Sequence, residues 1–379
     1  MLSYLDLLKA FSMLIYLVTF FLSLLCYAIA IRAKSSMFKG GCLFLCIILP
    51  ALLAGLRDPL VGKDYSVYGE YAWNAAIAST SWKSYTHNSI SLVTNLEFFY
   101  LFFNFFTSRF SADSHVFFFA HQFCLMCMVV YVALKCRKYK ASTFILFFYF
   151  FALYNISFNL LRQIFALVFS LIAFLWLIES NRKKSVLFFL LSCLAHKSSY
   201  FTIFILALRT MVGKYRNNKL LLIALLGSIF MAGFSSFTML MNFMISSGLY
   251  SDHYSAYVGM VGFKTHKIDI LFLIGIIFCL LLFIKKKNRA KNIYEMALFM
   301  SIISILFHLF GSLVEIAARV ALYYEFPLCI LLLMSSTKKK DAQKLLTGAS
   351  FLLLCRWFYL AIVTGYDWTV PYTSRILGI

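Results

Sequence analysis

Four basic side chains interrupt apolar stretches of this sequence, and their chemistry suits a phosphate-bearing ligand. They are Arg57, Arg162, Lys197 and Arg319. A guanidinium can bind two phosphate oxygens at once and stays charged at any working pH. If a bound diphosphate is a leaving group, it departs as a stable anion, and arginines stabilise the charge that develops on it. We therefore predict that these residues bind a lipid diphosphate.

Three further ionisable side chains are candidates for a catalytic base. An incoming sugar hydroxyl must lose a proton, and Asp64, Glu97 or neutral His196 can accept it. Asp64 ranks slightly first because a loop residue reaches an acceptor more readily than a residue at a helix break. Tyr65 and Tyr68 offer aromatic faces on which a sugar ring can stack.

Each of these residues also has a structural interpretation. Arg57 and Arg319 are placed to anchor helix ends at lipid headgroups, and Glu315 with Arg319 has the spacing of an ordinary helix ion pair. A single histidine such as His196 is more often a hydrogen-bonded core residue than a catalyst. The sequence leaves both interpretations open.

The acidic residues and histidines show no familiar ligand spacing. None of the 14 acidic residues lies two positions from another, so the D-x-D pattern of many metal-dependent sugar-nucleotide transferases is absent. The seven histidines form no H-E-x-x-H motif. We therefore predict a site without a metal ion or another cofactor.

The composition determines what kind of protein must position these residues. Of the 379 residues, 63% are hydrophobic and 13% are charged, which excludes a soluble protein. At about 20 residues per crossing, this chain supplies roughly ten to twelve transmembrane helices. The predicted fold is an all-α, polytopic helical bundle that forms a single transmembrane domain over residues 1–379.

The basic residues predict the orientation of the bundle. The net charge is +21, but most Lys and Arg residues fall in short clusters between apolar runs, as cytoplasmic loops do. Nucleic-acid binding is therefore excluded as the meaning of the charge. The same rule places two loops, 57–95 and 246–267, and the C-terminal tail 365–379 on the outer face, where we expect the active site.

Two apolar segments do not fit simple crossings. Residues 96–108 are too short for an easy crossing, which predicts a re-entrant or interfacial helix. Residues 185–208 are flanked by basic clusters at both ends, which favours an even number of crossings. We predict two half-helices that meet at 195–198, a break tolerated only inside protein or beside a wet cavity.

Five short strings, in this order, resemble the EpsG-like branch of the Wzy-type O-antigen and exopolysaccharide polymerases. The resemblance extends from about Leu56 to Pro327. The strings are Gly55-Leu56-Arg57 with Val61-Gly62-Lys63-Asp64-Tyr65 and Tyr68, Asn95-Leu96-Glu97, Asn159-Leu160-Leu161-Arg162-Gln163 with Ala166, Ala195-His196-Lys197-Ser198, and Ala318-Arg319 with Tyr323-Tyr324.

The resemblance implies a metal-independent glycosyltransferase with a GT-C-like architecture in the bacterial inner membrane. Such an enzyme would transfer a glycan from undecaprenyl diphosphate to the non-reducing end of another lipid-linked repeat at the periplasmic face. Its partners would be the lipid-linked oligosaccharide, membrane lipid and a chain-length regulator. Tyr65, Tyr68, Gln163, Tyr323 and Tyr324 are the candidate glycan-binding residues.

Two other functions remain open at this stage. A flippase for the same lipid-linked oligosaccharide would also need a basic cavity, but its charges would run through the bundle to both faces. An O-antigen ligase or a sugar-modifying acyltransferase would share the lipid donor or the glycan. The acceptor distinguishes them, and the sequence does not reveal the acceptor.

Overall fold

The computed structural model describes residues 4–87, 96–139, 141–214, 266–311 and 315–379. Every regular element in these ranges is helical, and the strand-like pairing found there is one isolated bridge between Arg289 and Ser336. The all-α fold predicted from the sequence is confirmed.

The α-helices are numbered along the chain, and short π and 3-10 stretches join some of them. They are α1 (Tyr4–Ala30), α2 (Ser36–Gly55), α3 (Glu70–Ala78), α4 (Trp82–Thr86), α5 (Phe98–Thr107), α6 (Ser114–Lys135), α7 (Thr143–Phe148), α8 (Gln163–Ile178), α9 (Arg182–Ala195), α10 (Thr202–Lys214), α11 (Lys267–Phe283), α12 (Lys291–Gly311), α13 (Glu315–Glu325), α14 (Leu328–Met334), α15 (Lys339–Tyr359) and α16 (Gly365–Trp368).

Six helical runs are long and apolar enough to cross a membrane. They are Asp6–Ala30, Ser36–Gly55, Ser114–Tyr139, Lys291–Gly311, Ala317–Met334 and Lys339–Thr364. The chain is therefore a multi-pass membrane protein. Three shorter apolar helices accompany them: Phe98–Thr107, Thr143–Tyr154 and Gln163–Ile178. The total of ten to twelve crossings stays a prediction, because the expected helix 220–245 and nearly all of loop 246–267 lie outside the described residues.

Helix α1 shows how these helices divide their faces. Tyr16, Phe20 and Tyr27 are completely buried at helical spacing. On the other side, Leu14, Val18, Phe21, Leu25 and other apolar residues follow the same spacing and are about half exposed. An apolar stripe on the outside suits contact with lipid chains, whereas the aromatic stripe packs inward.

The described residues form two compact units. The first contains Met1–Tyr200 with Ala342–Ile379, and the second contains Phe201–Asp341. Buried aromatic rings fill the first unit, where Tyr16 and Phe20 make edge contacts with Tyr154 and Trp357. The single transmembrane domain predicted from the sequence stays a prediction.

The two apolar segments that do not fit simple crossings, 96–108 and 185–208, contain short helices. Helix α5 has 10 residues, or about 15 Å of length, against roughly 30 Å of hydrocarbon. Helix α9 ends at Ala195 and α10 begins at Thr202, with a 3-10 turn at Lys197–Phe201 between them. The predicted break thus lies at the predicted residues.

Candidate active site

A close approach between two helices ends helix α2 at the candidate site. A Cβ on Gly55 would lie 2.8 Å from the Cβ of Phe119, so only glycine permits this contact with α6. Arg57 follows at once, and its guanidinium lies between the rings of Phe118 and Phe158, 4.3 and 3.9 Å from their centroids. Burial lowers the pKa of Arg57 to about 10, which leaves the side chain charged at neutral pH.

A second close approach positions Asp64. Gly62 has a φ of +94°, and a Cβ there would lie 2.8 Å from Phe158, so both the backbone and the packing require glycine. The backbone N–H of Lys63 then donates to the side-chain oxygen of Asn159 at 2.5 Å. Asp64 follows and accepts a hydrogen bond of 2.5 Å from the hydroxyl of Tyr68, four residues later.

A helix hairpin brings Arg162 and His196 to the same end of the first unit. Arg162 immediately precedes α8, and His196 immediately follows α9, which packs antiparallel to α8. Ser192 fixes the register, because its hydroxyl donates to the carbonyl oxygen of Ala166 at 2.8 Å and lies 2.7 Å from the hydroxyl of Ser170. The hairpin thus brings Arg162 and His196, which are 34 positions apart in the sequence, to the same end.

Glu97 joins these two residues. One carboxylate oxygen, Oε2, lies 2.7 Å from Nη1 of Arg162, and the other, Oε1, lies 3.7 Å from Nε2 of His196. Burial alone would raise the pKa of Glu97, but the guanidinium of Arg162 and the nearby imidazole hold it below its ordinary value. Glu97 is therefore an ionised carboxylate between two partners of positive or potentially positive charge.

The imidazole of His196 is oriented by the turn that follows it. Its Nδ1 accepts the backbone N–H of Ser198 at 3.1 Å and lies 2.6 Å from the Ser198 hydroxyl. A ring nitrogen that accepts an N–H carries no proton in the neutral ring, so the proton is on Nε2 and faces Glu97. His196 thus presents a donor to the carboxylate.

Five side chains form one continuous arrangement, here called the polar path. It runs from Asp64 through Tyr68 and Arg162 to Glu97 and His196, because the guanidinium of Arg162 also lies 4.6 Å from the ring centroid of Tyr68. Burial, with the adjacent Asp64 carboxylate, raises the pKa of Tyr68 well above its ordinary value, so the phenol stays protonated. The polar path combines a cation, ionised carboxylates and an oriented imidazole.

Other predicted residues of the first unit lie beside the polar path in different environments. Tyr65 and Gln163 are buried, and Tyr65 packs edge-on against Phe118, which also contacts Arg57. Lys197 is exposed. The structure thus brings Asp64, Tyr68, Arg162, Glu97 and His196 together and places Arg57 and Tyr65 in aromatic packing.

Three predicted residues belong to the second unit. Arg319, Tyr323 and Tyr324 lie on α13, where Arg319 is half-buried and the two tyrosines are buried. The Tyr324 ring stacks on Phe307 of α12, 5.4 Å between centroids. These contacts fix α13 against α12 within that unit.

A family model described as the EpsG family matches residues 40–374, most of the chain. The chain belongs to the EpsG family. No curated protein matches it, and no solved structure does. Family membership indicates a polysaccharide polymerase, a glycosyltransferase-like enzyme of polysaccharide biosynthesis in a membrane.

Sequence reasoning missed the residues that hold the polar path of this EpsG-family chain in place. Asn159 anchors Lys63, and the Nε2 of His121 lies 2.9 Å from the carbonyl oxygen of Leu161, one residue before Arg162. Asn159 is part of the string that contains Arg162, which was a usable signal. No local pattern marks His121, because its partner is 40 positions away.

Proposed function

We propose that this EpsG-family protein is an O-antigen, or surface-polysaccharide, polymerase. It transfers a growing glycan from undecaprenyl diphosphate to the non-reducing end of a second lipid-linked repeat, at the periplasmic face of the bacterial inner membrane. The observation that supports this proposal best is the bridging of Arg162 and His196 by Glu97, next to the Asp64–Tyr68 pair. A phosphate-binding cation and candidate bases thus occupy one region.

Arg162 is the proposed donor-side residue. Its guanidinium is held in one orientation by the carboxylate of Glu97 and by the ring of Tyr68. A cation that is already oriented stabilises a leaving diphosphate without reorganisation during the reaction. Lys197 is exposed beside His196 and is the proposed second contact to the diphosphate, with Arg319 as a further candidate.

Asp64 is the proposed base. Glu97 is held as an anion by Arg162, which makes it a weak base, and the Nδ1 lone pair of His196 already accepts the Ser198 N–H. Asp64 is partly exposed, and Tyr68 hydrogen-bonds one of its oxygens. In the transfer, the acceptor hydroxyl oxygen bonds to the anomeric carbon, its proton passes to Asp64, and the carbon–oxygen bond to the diphosphate breaks.

The glycan contacts belong to the same proposal. Tyr68 borders Arg162 and Asp64, so a sugar near the reacting centre would lie against its edge. Tyr65, Gln163, Tyr323 and Tyr324 are the remaining proposed contacts.

The proposed transfer needs no divalent metal. Because arginine takes the role that a divalent metal has in other transferases, added Mg²⁺ or Mn²⁺ should leave the transfer rate unchanged.

The periplasmic orientation can be tested with a matched pair of cysteines. Lys83 lies in the predicted outer loop and Lys287 in a predicted cytoplasmic cluster, and both are exposed. In cells with a permeabilised outer membrane, an impermeant thiol reagent should label Lys83→Cys and spare Lys287→Cys. The reverse pattern would place the site on the cytoplasmic face.

The activity itself is tested with purified protein and one synthetic undecaprenyl-diphosphate repeat, without nucleotide or added metal. A ladder of products one repeat apart is the expected result, and a chain-length regulator should narrow its distribution. Movement of the lipid across a vesicle membrane without a ladder would indicate a flippase. Transfer only to a different acceptor would indicate a ligase, and either result would overturn the proposal.

A further inference from the structure

A second cluster of ionisable side chains lies in the second unit. None of its residues belongs to the polar path. His266 immediately precedes α11, and Asp269 lies in the first turn of that helix. His308 lies in the last turn of α12. Glu325 ends α13. Except for His266, which is half-buried, these residues are buried.

The first three residues have the geometry of a metal ligand set. Each offers one ligand atom, and these atoms lie within 4.8 Å of one another. Nδ1 of His266 is 3.4 Å from Oδ2 of Asp269, and the rings of His266 and His308 are 5.4 Å apart between centroids. Two ligand atoms bound at about 2.1 Å in a tetrahedral site are themselves about 3.4 Å apart. That distance is long for an N–H···O hydrogen bond.

Glu325 prepares His308 for the role of ligand. Nε2 of His308 hydrogen-bonds to Oε1 of Glu325, and both side chains are almost completely buried. A carboxylate that accepts the Nε2 proton leaves the lone pair of the ring on Nδ1. This carboxylate–histidine arrangement orients and strengthens metal-ligating histidines in general.

The positions of His266 and Asp269 in the sequence also support the site. The spacing His266-x-x-Asp269 puts both side chains on one face of the first turn of α11. Their facing partner comes from α12, a different helix, so the sequence alone could not reveal the set.

We propose that His266, Asp269 and His308 bind a divalent transition-metal ion, with Glu325 as the residue that positions His308. Two imidazole nitrogens and one carboxylate oxygen favour Zn²⁺ and similar ions over Mg²⁺ and Ca²⁺, which prefer oxygen ligands. Three protein ligands leave a coordination position for water. The ion ties the start of α11 to the end of α12 and, through Glu325, to the helix that carries Arg319.

The test is Zn²⁺ binding by the purified full-length protein in detergent, prepared with a tag that contains no histidine. After treatment with a chelator and its removal, Zn²⁺ is titrated in competition with a chromophoric chelator. The parent protein should bind one Zn²⁺ per chain. His266→Ala and His308→Ala should each weaken binding by at least about 100-fold, and Glu325→Gln by roughly 10- to 100-fold. His87→Ala, which removes an exposed histidine of the first unit, is the matched control and should bind like the parent.

A spectroscopic measurement covers the case in which the variants fail to fold. Co²⁺ added to the parent protein should give visible d–d absorption bands typical of nitrogen and oxygen ligands in a four- or five-coordinate site, and Zn²⁺ should abolish them. A parent protein that binds no stoichiometric Zn²⁺, or well-folded histidine variants that bind it like the parent, would overturn the proposal. The measurement needs no lipid substrate, so failure of the polymerase assay leaves its outcome unaffected.

Discussion

Two arginines of the first unit that look alike in the sequence have opposite surroundings in the structure. Arg57 is 2% exposed and lies between two phenylalanine rings, and no ion pair joins it to a carboxylate in the described part of the chain. The Arg162 side chain is 17% exposed, is paired with Glu97 and borders Tyr68. One cation is enclosed by aromatic packing, and the other is held by acidic and aromatic neighbours at a partly open position.

The difference separates two uses of a charged residue near a membrane. A guanidinium between aromatic rings gains cation–π stabilisation that is largest where water is excluded, which suits a structural role at the end of α2. A guanidinium oriented by a carboxylate can meet a ligand anion without reorganisation. The geometry therefore favours Arg162 for the diphosphate and a structural role for Arg57, where the sequence predicted a diphosphate contact.

The largest expected effect comes from Asp64. Asp64→Asn removes the proposed base but can retain the hydrogen bond from Tyr68, so polymerisation should fall by about 10²- to 10⁴-fold while lipid binding is unchanged. The rate of ladder formation measures the first effect. Asp58→Asn is the matched control, since Asp58 lies in the same loop and accepts the backbone N–H of Arg375 at 3.0 Å. If Asp64→Asn polymerises as fast as Asp58→Asn and the parent, Asp64 is not the base, and the base is His196 or Glu97.

The second prediction concerns Arg162 directly. Loss of one charged donor aimed at a developing anion commonly costs about 3 kcal/mol, or roughly 100-fold in rate. Arg162→Ala should therefore abolish long chains although the protein still inserts in the membrane. Arg162→Lys should keep a partial ladder, because a point charge retains attraction but loses the two-pronged hydrogen bonding. If Arg162→Lys polymerises like the parent, the two-pronged hydrogen bonding has no role, and if Arg162→Ala does so as well, Arg162 does not act on the diphosphate.

The third prediction is that substitution of Arg57 lowers the stability of the protein and not its activity. Arg57→Ala leaves a cavity between Phe118 and Phe158 and removes the cation–π contacts. The free energy of unfolding should therefore fall by about 2–4 kcal/mol. The melting temperature in detergent measures this loss. The rate per folded molecule should change little. A normal melting temperature with a 100-fold slower rate would instead assign Arg57 to the diphosphate.

The smallest expected effect is the response of Glu97 to pH. Its pKa is depressed in the folded protein, so the stability it contributes is fully present above the unfolded pKa, about 4.3, and is lost as the pH falls through the folded value. The difference in melting temperature between the parent and Glu97→Gln should therefore not shrink from pH 7 to pH 5. A difference that already shrinks over that range would mean that Arg162 does not hold Glu97 as an anion.

Much of the architecture followed from local sequence, whereas the distinction between the two arginines did not. Apolar runs and the flanking basic clusters predicted the helical fold and the break at 195–198, because these features depend on residues near one another. The environment of Arg57 depends on Phe118 and Phe158, about 60 and 100 positions away, and the Glu97 bridge spans a similar range. The residue types of the polar path were predictable, but their pairing required the tertiary structure.

The most direct test of the proposed difference is the affinity of undecaprenyl-diphosphate-linked repeat for three folded proteins: the parent, Arg162→Ala and Arg57→Ala. Binding is measured in detergent at equal concentrations of folded protein, with the dephosphorylated lipid-linked glycan as the matched ligand. We expect Arg162→Ala to lose most of the preference for the diphosphate and Arg57→Ala to retain it. If Arg162→Ala keeps the parent's preference, or Arg57→Ala loses it, the assignment of the two arginines is contradicted.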